Sequence, residues 1–298
     1  MKSQTTGEYT RTDAVERKSC IDLVNDVDNA TIEFNYCENG GVLTIGAYNY
    51  DCPGECNQYA DNYTIRYNIL KNTIFAINAA GNHNMTGYGS FYGNLLMECY
   101  VSWGGNDFNS KSHKIYNNTI YVTTTHGVYH TDACYNQENV EFKNNIIYQN
   151  GASAGYFNIK DQSDCMVPSQ KSNNLYYRKI GTTAVDGGAS DYTIAQIAAG
   201  LYDTNAKTID PFFTGGDLPT GFTNNRPNTN YFLPETGSLA YYNGTATLTP
   251  TVDIRGYPYS RSSPAIGAYE RILGNPANIG AVGATARPGV GAAATIGN

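Results

Sequence analysis

Charge is scarce in this chain. Only 15% of its 298 residues are Asp, Glu, Lys or Arg, and the balance is acidic, at −7. Phosphate backbones require a clustered positive surface, so nucleic acid is excluded as the main partner. Long apolar runs are missing as well. No stretch reaches the roughly 17–20 apolar residues that a membrane-spanning helix needs. Met1-Lys2-Ser3-Gln4-Thr5-Thr6 leads into polar sequence, so a signal peptide is expected to be absent from this numbering or already removed. Tryptophan occurs once, at Trp103.

Glycine and tyrosine are abundant, at 31 and 26 residues, and Asn is frequent throughout. That mixture suits many short strands joined by tight turns, with Tyr covering half-buried surfaces. The seven Cys are an odd number. Cys52-Pro53-Gly54-Glu55-Cys56 either closes a small loop or holds two thiols, and it lacks the second Cys/His pair of a zinc site. Cys134 and Cys165 fall at similar places in successive repeats. Stacked strands about 4.8 Å apart are compatible with disulfide Cα separations of roughly 4.4–6.8 Å. An oxidising, extracytoplasmic setting fits these features; buried thiols in a reducing compartment are the other reading.

Asn117-Asn118-Thr119-Ile120-Tyr121 is echoed by Asn144-Asn145-Ile146-Ile147-Tyr148, 27 residues on. The second Asn of each pair belongs to a longer series: Asn35, Asn68, Asn94, Asn118, Asn145 and Asn174, in steps of 33, 26, 24, 27 and 29. Three residues before each stand Ile32, Ile65, Phe91, Ile115, Phe142 and Lys171. Two residues after each stand Cys37, Leu70, Leu96, Ile120, Ile147 and Tyr176. Lys171 alone is neither apolar nor aromatic, and it falls in the last copy, where a repeat array becomes irregular. A period this long, with Gly and Asn between, is not one helix face. Two short strands meeting at a bend fit it, with Asn tolerating the left-handed backbone of the bend and its amide stacking from coil to coil. A third strand is expected within residues 41–47, 75–79, 99–104, 126–132 and 156–161. Three strands per turn, stacked over six coils, make a parallel β-helix.

Near the end come Ile209-Asp210-Pro211-Phe212-Phe213, Tyr231-Phe232-Leu233-Pro234, Asp253-Ile254-Arg255-Gly256 and Ile266-Gly267-Ala268-Tyr269-Glu270. With the coils, these segments resemble the right-handed parallel β-helix proteins of the pectate-lyase-like superfamily, in its secreted bacterial form. Gly237-Ser238-Leu239-Ala240 departs from the Ser-Pro-Ala-like turn of that pattern. The expected organisation is an all-β solenoid over residues 30–270 with its closing segment, preceded by a cap or incomplete first coil over 1–29 and followed by a Gly/Ala-rich tail over 271–298. One helix is expected over 191–202, capped by Ser190 or Asp191, with Ile194, Ile197, Ala198 and Leu201 on one stripe.

The resemblance implies a secreted or cell-surface protein that binds, and by a lyase-like reaction cleaves, an acidic polysaccharide along the outside of one stacked sheet. β-Elimination needs a base beside a uronate carboxylate, and a cation or Ca²⁺ to neutralise that carboxylate. The candidate catalytic residues are Lys160, His130, Asp132 and Asp161; the candidate substrate-binding residues are Trp103, Tyr129, Tyr156, Lys111 and Arg66. Asp132 and Asp161 also suit glycoside hydrolysis, which needs two carboxyl groups. Each has a plainer reading: the two Asp as turn residues at strand ends, Lys160 as an exposed strand lysine, Trp103 as core cover. The rival function is non-enzymatic, a surface fibre, filament subunit or viral spike component that self-associates through the 271–298 tail.

Overall fold

The computed structural model describes residues 21–24, 29–48, 62–80, 88–104, 112–124, 126–131, 141–151, 153, 155, 157–161, 170–187, 190–215 and 229–270. They form a right-handed parallel β-helix whose coils have three faces, the handedness that parallel crossovers take. The strands are numbered in chain order. The first face is a six-stranded parallel sheet of β2 (Thr31–Glu33), β4 (Tyr63–Arg66), β6 (Tyr88–Tyr92), β9 (Ser112–Tyr116), β12 (Glu141–Lys143) and β15 (Lys171–Ser172). A 12-stranded sheet wraps the other two faces. The long strands β3 (Tyr36–Tyr48) and β5 (Ile69–Ala80) run across both. In later coils the run divides into β7 (Leu95–Met97), β10 (Thr119–Val122), β13 (Ile146–Gln149) and β16 (Leu175–Arg178) on the second face. The third face takes β8 (Tyr100–Gly104), β11 (Val128–Thr131), β14 (Ile159–Asp161) and β17 (Thr183–Gly187). At one end, β1 (Ile21–Val24) pairs with the third-face part of β3; at the other, β18 (Tyr192–Thr193) adds antiparallel to β17.

The apolar columns read from the spacing are columns in space. Ile32, Ile65, Phe91, Ile115, Phe142 and Lys171 are successive register partners on the first face. Cys37, Leu70, Leu96, Ile120, Ile147 and Tyr176 are partners on the second. With Val101, Val128, Ile159 and Val185 from the third face they fill the solenoid's interior. Burying each large apolar side chain is worth about 1.5–3 kcal/mol, and the coil order repeats that gain at every turn.

The Asn series is a continuous ladder, buried from Asn68 to Asn174. The Oδ1 of Asn94 accepts the backbone N–H of Asn68 at 2.9 Å and its side-chain amide at 3.0 Å. The Oδ1 of Asn118 does the same for Asn94, and that of Asn145 for Asn118. Each Nδ2 also donates to the carbonyl two residues back, as Asn118 does to Tyr116, and to a carbonyl of the previous coil, as Asn118 does to Phe91. The left-handed residue at the bend, however, is the one before the ladder Asn. Phe34, Tyr67, Gly93, Asn117, Asn144 and Asn173 carry φ between 52° and 65°, and the ladder Asn themselves do not. The doubled Asn of the two echoed copies thus divides its work. The first Asn turns the chain and bonds outward, while the second continues the buried ladder.

The second face is covered on its outside too. Ile69, Leu95, Met97, Tyr121, Ile146, Tyr148 and Leu175 point away from the interior and pack against Phe213, Phe232, Ala240, Ile266, Ala268 and Tyr269. The closing segment is therefore a lid over this sheet. Asn117 Nδ2 donates to Ala265 O at 3.0 Å, and Asn144 exchanges bonds with Thr245 at 2.8 Å each way. Asn173 donates to Asn243 O at 2.9 Å. The Asp253-Ile254-Arg255-Gly256 turn closes on itself: buried Asp253 accepts from the backbone N–H of Arg255, Tyr257 and Glu270 and pairs with the Arg255 guanidinium at 2.6 Å. The departing Gly237-Ser238-Leu239-Ala240 stretch still makes a turn, with Ser238 Oγ accepting the Ala240 N–H at 3.0 Å.

The helix is shorter than expected. It is α1 (Ile194–Ala198), and Tyr192 and Thr193 before it are strand. Thr193, not Ser190 or Asp191, is the N-cap, in a capping box with Gln196. Gly200 at φ 79° follows its end. Ile197 is its one buried residue, and Leu201 is exposed. Pairing with β17 takes Tyr192 and Thr193 into the sheet, because the last third-face strand otherwise presents an open edge. Cys37 is disulfide-bonded and Cys99 is a buried thiol; Cys52, Cys56, Cys134, Cys165 and the tail 271–298 lie outside the described residues.

Candidate functional site

The third face positions most of the residues singled out from the sequence. Val101, Val128, Ile159 and Val185 are buried register partners, so this column points inward. The next register column aligns Ser102, Tyr129, Lys160 and Asp186, and of these Lys160 and Asp186 keep their side chains partly exposed. One step further along the strands the register aligns Trp103, His130, Asp161 and Gly187. Lys160 therefore lies between Tyr129 and Asp186, and His130 between Trp103 and Asp161, as backbone neighbours on adjacent coils. Asp132, Tyr156 and Lys111 lie outside the described residues.

Lys160 is half-buried, with its Nζ 3.9 Å from the Asp186 carboxylate. At the corner leading into the third face stand His126, Phe157 and Arg178, from three successive coils. The imidazole of His126 lies parallel to the Phe157 ring at 5.6 Å, and the Arg178 guanidinium lies 5.1 Å from that ring's centre. Arg178 is nearly buried and is held by the carbonyls of Ile180 and Thr183. His126 Nδ1 accepts the Phe157 N–H at 3.0 Å. Partial burial, then the charges of Lys160 and Arg178, push the imidazole down to about 4. At neutral pH its proton therefore sits on Nε2, and the ring is a hydrogen-bond donor, not a base. Gly127 beside it is required by close packing, since a Cβ there would lie 2.5 Å from Ile147 Cγ2 and 2.8 Å from Asn158 O.

Arg66 is elsewhere. It belongs to β4 on the first face, in a column with Glu33, Tyr92, Tyr116 and Lys143. Its guanidinium binds Glu33 at 2.6 Å and the Tyr92 hydroxyl at 3.0 Å, beside the Tyr67 ring at 5.4 Å. The structure thus separates Arg66 from the Lys160 group, because the two strands lie on different faces of the coil.

His126, Phe157 and Arg178 as a group are legible only in the fold. Their separations match no step of the ladder, since the loops entering the third face differ in length from coil to coil. Among the described residues no three His, Cys, Asp or Glu side chains converge as metal ligands. No described helix is long and apolar enough to cross a membrane. The fold and its ladder define a parallel β-helix protein. Comparison of the chain with the known protein families finds no match, and comparison with characterised proteins finds none.

Proposed function

We propose that this is a secreted β-helix of the pectate-lyase-like type that binds an acidic polysaccharide along its third face. One observation carries the reading: on a chain of net charge −7, Lys160 stays partly exposed beside a neutral imidazole and a second, buried cation, Arg178. A uronate carboxylate would take the place of Asp186 on Lys160. The disulfide at Cys37 supports an oxidising setting.

A specific observation favours the non-enzymatic reading as the second. Lys160 is engaged by a carboxylate, and the His126 Nδ1 is occupied by the Phe157 N–H, so neither is poised as the base of β-elimination. A panel of polyuronates and sulfated glycans separates the two, read by binding and by the absorbance of unsaturated uronate products. Binding with unsaturated product supports a lyase. Binding without turnover supports an adhesive or structural role. No binding across the panel removes the polysaccharide reading. In Lys160→Ala, binding is expected to weaken about tenfold or more, from loss of one charge-assisted contact.

A further inference from the structure

Twenty-nine residues after Asn174 comes Asp203, fully buried, in the position the ladder would give a seventh Asn. Its Oδ2 accepts the Asn174 side-chain amide at 2.6 Å and the Tyr176 hydroxyl at 2.7 Å. The chain around it continues the coil: Ser172 bridges to Thr204 and Leu175 to Lys207, both in parallel. Each ladder Asn after the first also donates its Nδ2 to the carbonyl of the residue three before the previous rung. Asn68 reaches Ile32 O, Asn94 Ile65 O, Asn118 Phe91 O, Asn145 Ile115 O and Asn174 Phe142 O. By the same rule a donor at 203 would reach Lys171 O. Asp203 Oδ1 stands in place of that donor, and among the described residues it has no hydrogen-bond partner.

We propose that Asp203 terminates the ladder as a neutral carboxylic acid, its proton on Oδ1 serving where an Asn amide would, and that its ionisation loosens this end of the solenoid. The charged groups around it frame the two states. Lys171, from β15, is buried with its Nζ 3.5 Å from the centre of the Tyr202 ring, and Tyr192 from β18 packs on that same ring. Tyr176, from β16, is held protonated by burial and by the Asp203 charge, so it remains a donor to Oδ2. An ionised Asp203 would be a buried charge with one oxygen bonded and Lys171 as its counter-ion, a state whose desolvation outweighs its pairing unless the geometry is good. Burial, opposed by the Asn174 and Tyr176 bonds and by the Lys171 charge, raises the carboxyl to about 7.

The sign follows. A folded-state value above the ordinary 3.8 means that the folded protein holds more protons than the unfolded chain between about pH 4 and 7. Stability contributed by this group is complete below that window, is lost as pH rises through it, and is flat above it.

Asp203→Asn tests this, because the amide supplies the same donor without a charge. The ratio of the variant's folding equilibrium constant to the wild type's is expected to rise by up to about tenfold per pH unit between pH 4 and 7, then level off. Amide exchange at Thr204 and Lys207, whose N–H groups bond Lys171 O and Asn174 O, is expected to quicken in the wild type between about pH 4 and 7 beyond intrinsic base catalysis and to level off above. The ¹³C resonance of the Asp203 carboxyl in the wild-type chain is expected to titrate near neutrality, a reading that stands even if the variant does not fold. A carboxyl that titrates in the ordinary Asp range, or a stability ratio that does not change with pH, would overturn the proposal.

Discussion

A single buried amide carries several bonds in this fold, so residue-level substitutions separate sharply. In Asn118→Ala the donors of Asn94 lose their acceptor, and the Phe91 and Tyr116 carbonyls lose a donor. Stranding two buried donors is expected to cost about 3–5 kcal/mol in urea unfolding. Asn62→Gly, where one exposed amide bonds Asn29 and the backbone holds φ 56°, is expected to stay within about 1 kcal/mol of wild type and serves as its control, since Gly keeps that backbone without strain. Phe34 presents the opposite case. It holds φ 58° with a bulky side chain that is 57% exposed, stacked on Tyr67 at 5.4 Å. Left-handed strain of about 1–3 kcal/mol outweighs a stack worth about 0.5–1.5 kcal/mol. Phe34→Asn is therefore expected to leave stability unchanged or raise it by about 1 kcal/mol; a clear loss would show that the stack matters more. His113 is buried, with the Tyr63 hydroxyl 2.6 Å from its Nδ1, and burial lowers it to about 4. The unfolded chain then binds more protons from about pH 6.5 down to 4, so stability from His113 is lost on acidification through that window, and His126 adds in the same direction. Asp203 opposes both over the same range, so its contribution is read only as a difference between variants.

Among the elements, the closing segment is the one on which the second face depends. Gly267 sits at φ 92°, and a Cβ there would lie 2.6 Å from Ile146 Cδ1 and 2.8 Å from Thr119 Oγ1. The adjacent Ala268 N–H bonds that same Thr119 hydroxyl at 3.0 Å. Gly267→Ala combines an unfavourable backbone with overpacking, at about 2–5 kcal/mol together. Loss of thermal stability with early cleavage between residues 238 and 270 is the expected result; a fully resistant variant would mean that the lid can shift as a body. The end of the repeat shows how an element can depart from its local signal. Residues 191–202 carry a helical stripe, yet only Ile194–Ala198 are helix, because pairing of Tyr192 and Thr193 with β17 closes an edge that a longer helix would leave open.

At the scale of the whole molecule, the three faces differ in what they can do. The second is enclosed between the interior and the lid, and the first holds its arginine against Glu33. The third leaves Lys160 partly exposed, with its charge answered at 3.9 Å by Asp186. Removing the competing carboxylate in Asp186→Asn is expected to tighten binding of a polyuronate severalfold. Because His126 stays neutral from about pH 5 upward, that binding is expected to be flat between pH 5.5 and 8 in titration calorimetry. A steep rise on acidification across that range would mean that an imidazole charge, not Lys160, dominates.

The sequence by itself determined the coil. The spacing of Asn35 to Asn174, and the apolar residues three before and two after each, specify a solenoid because every coil must place the same atoms over the last. Six rungs are legible this way; the seventh is not, since Asp203 breaks the residue type while keeping the step. Sequence periodicity also names the residues of the third face, but not which are neighbours, because loops of unequal length reset the count in each coil. Only the tertiary structure decided that Tyr129 aligns with Lys160, that Arg66 belongs to another face, and that His126, Phe157 and Arg178 meet at one corner. Register within a sheet follows from hydrogen bonds and interior packing repeated at each turn, and those are encoded locally. The meeting of side chains across coils depends on how far each loop carries the chain, and no residue encodes that alone.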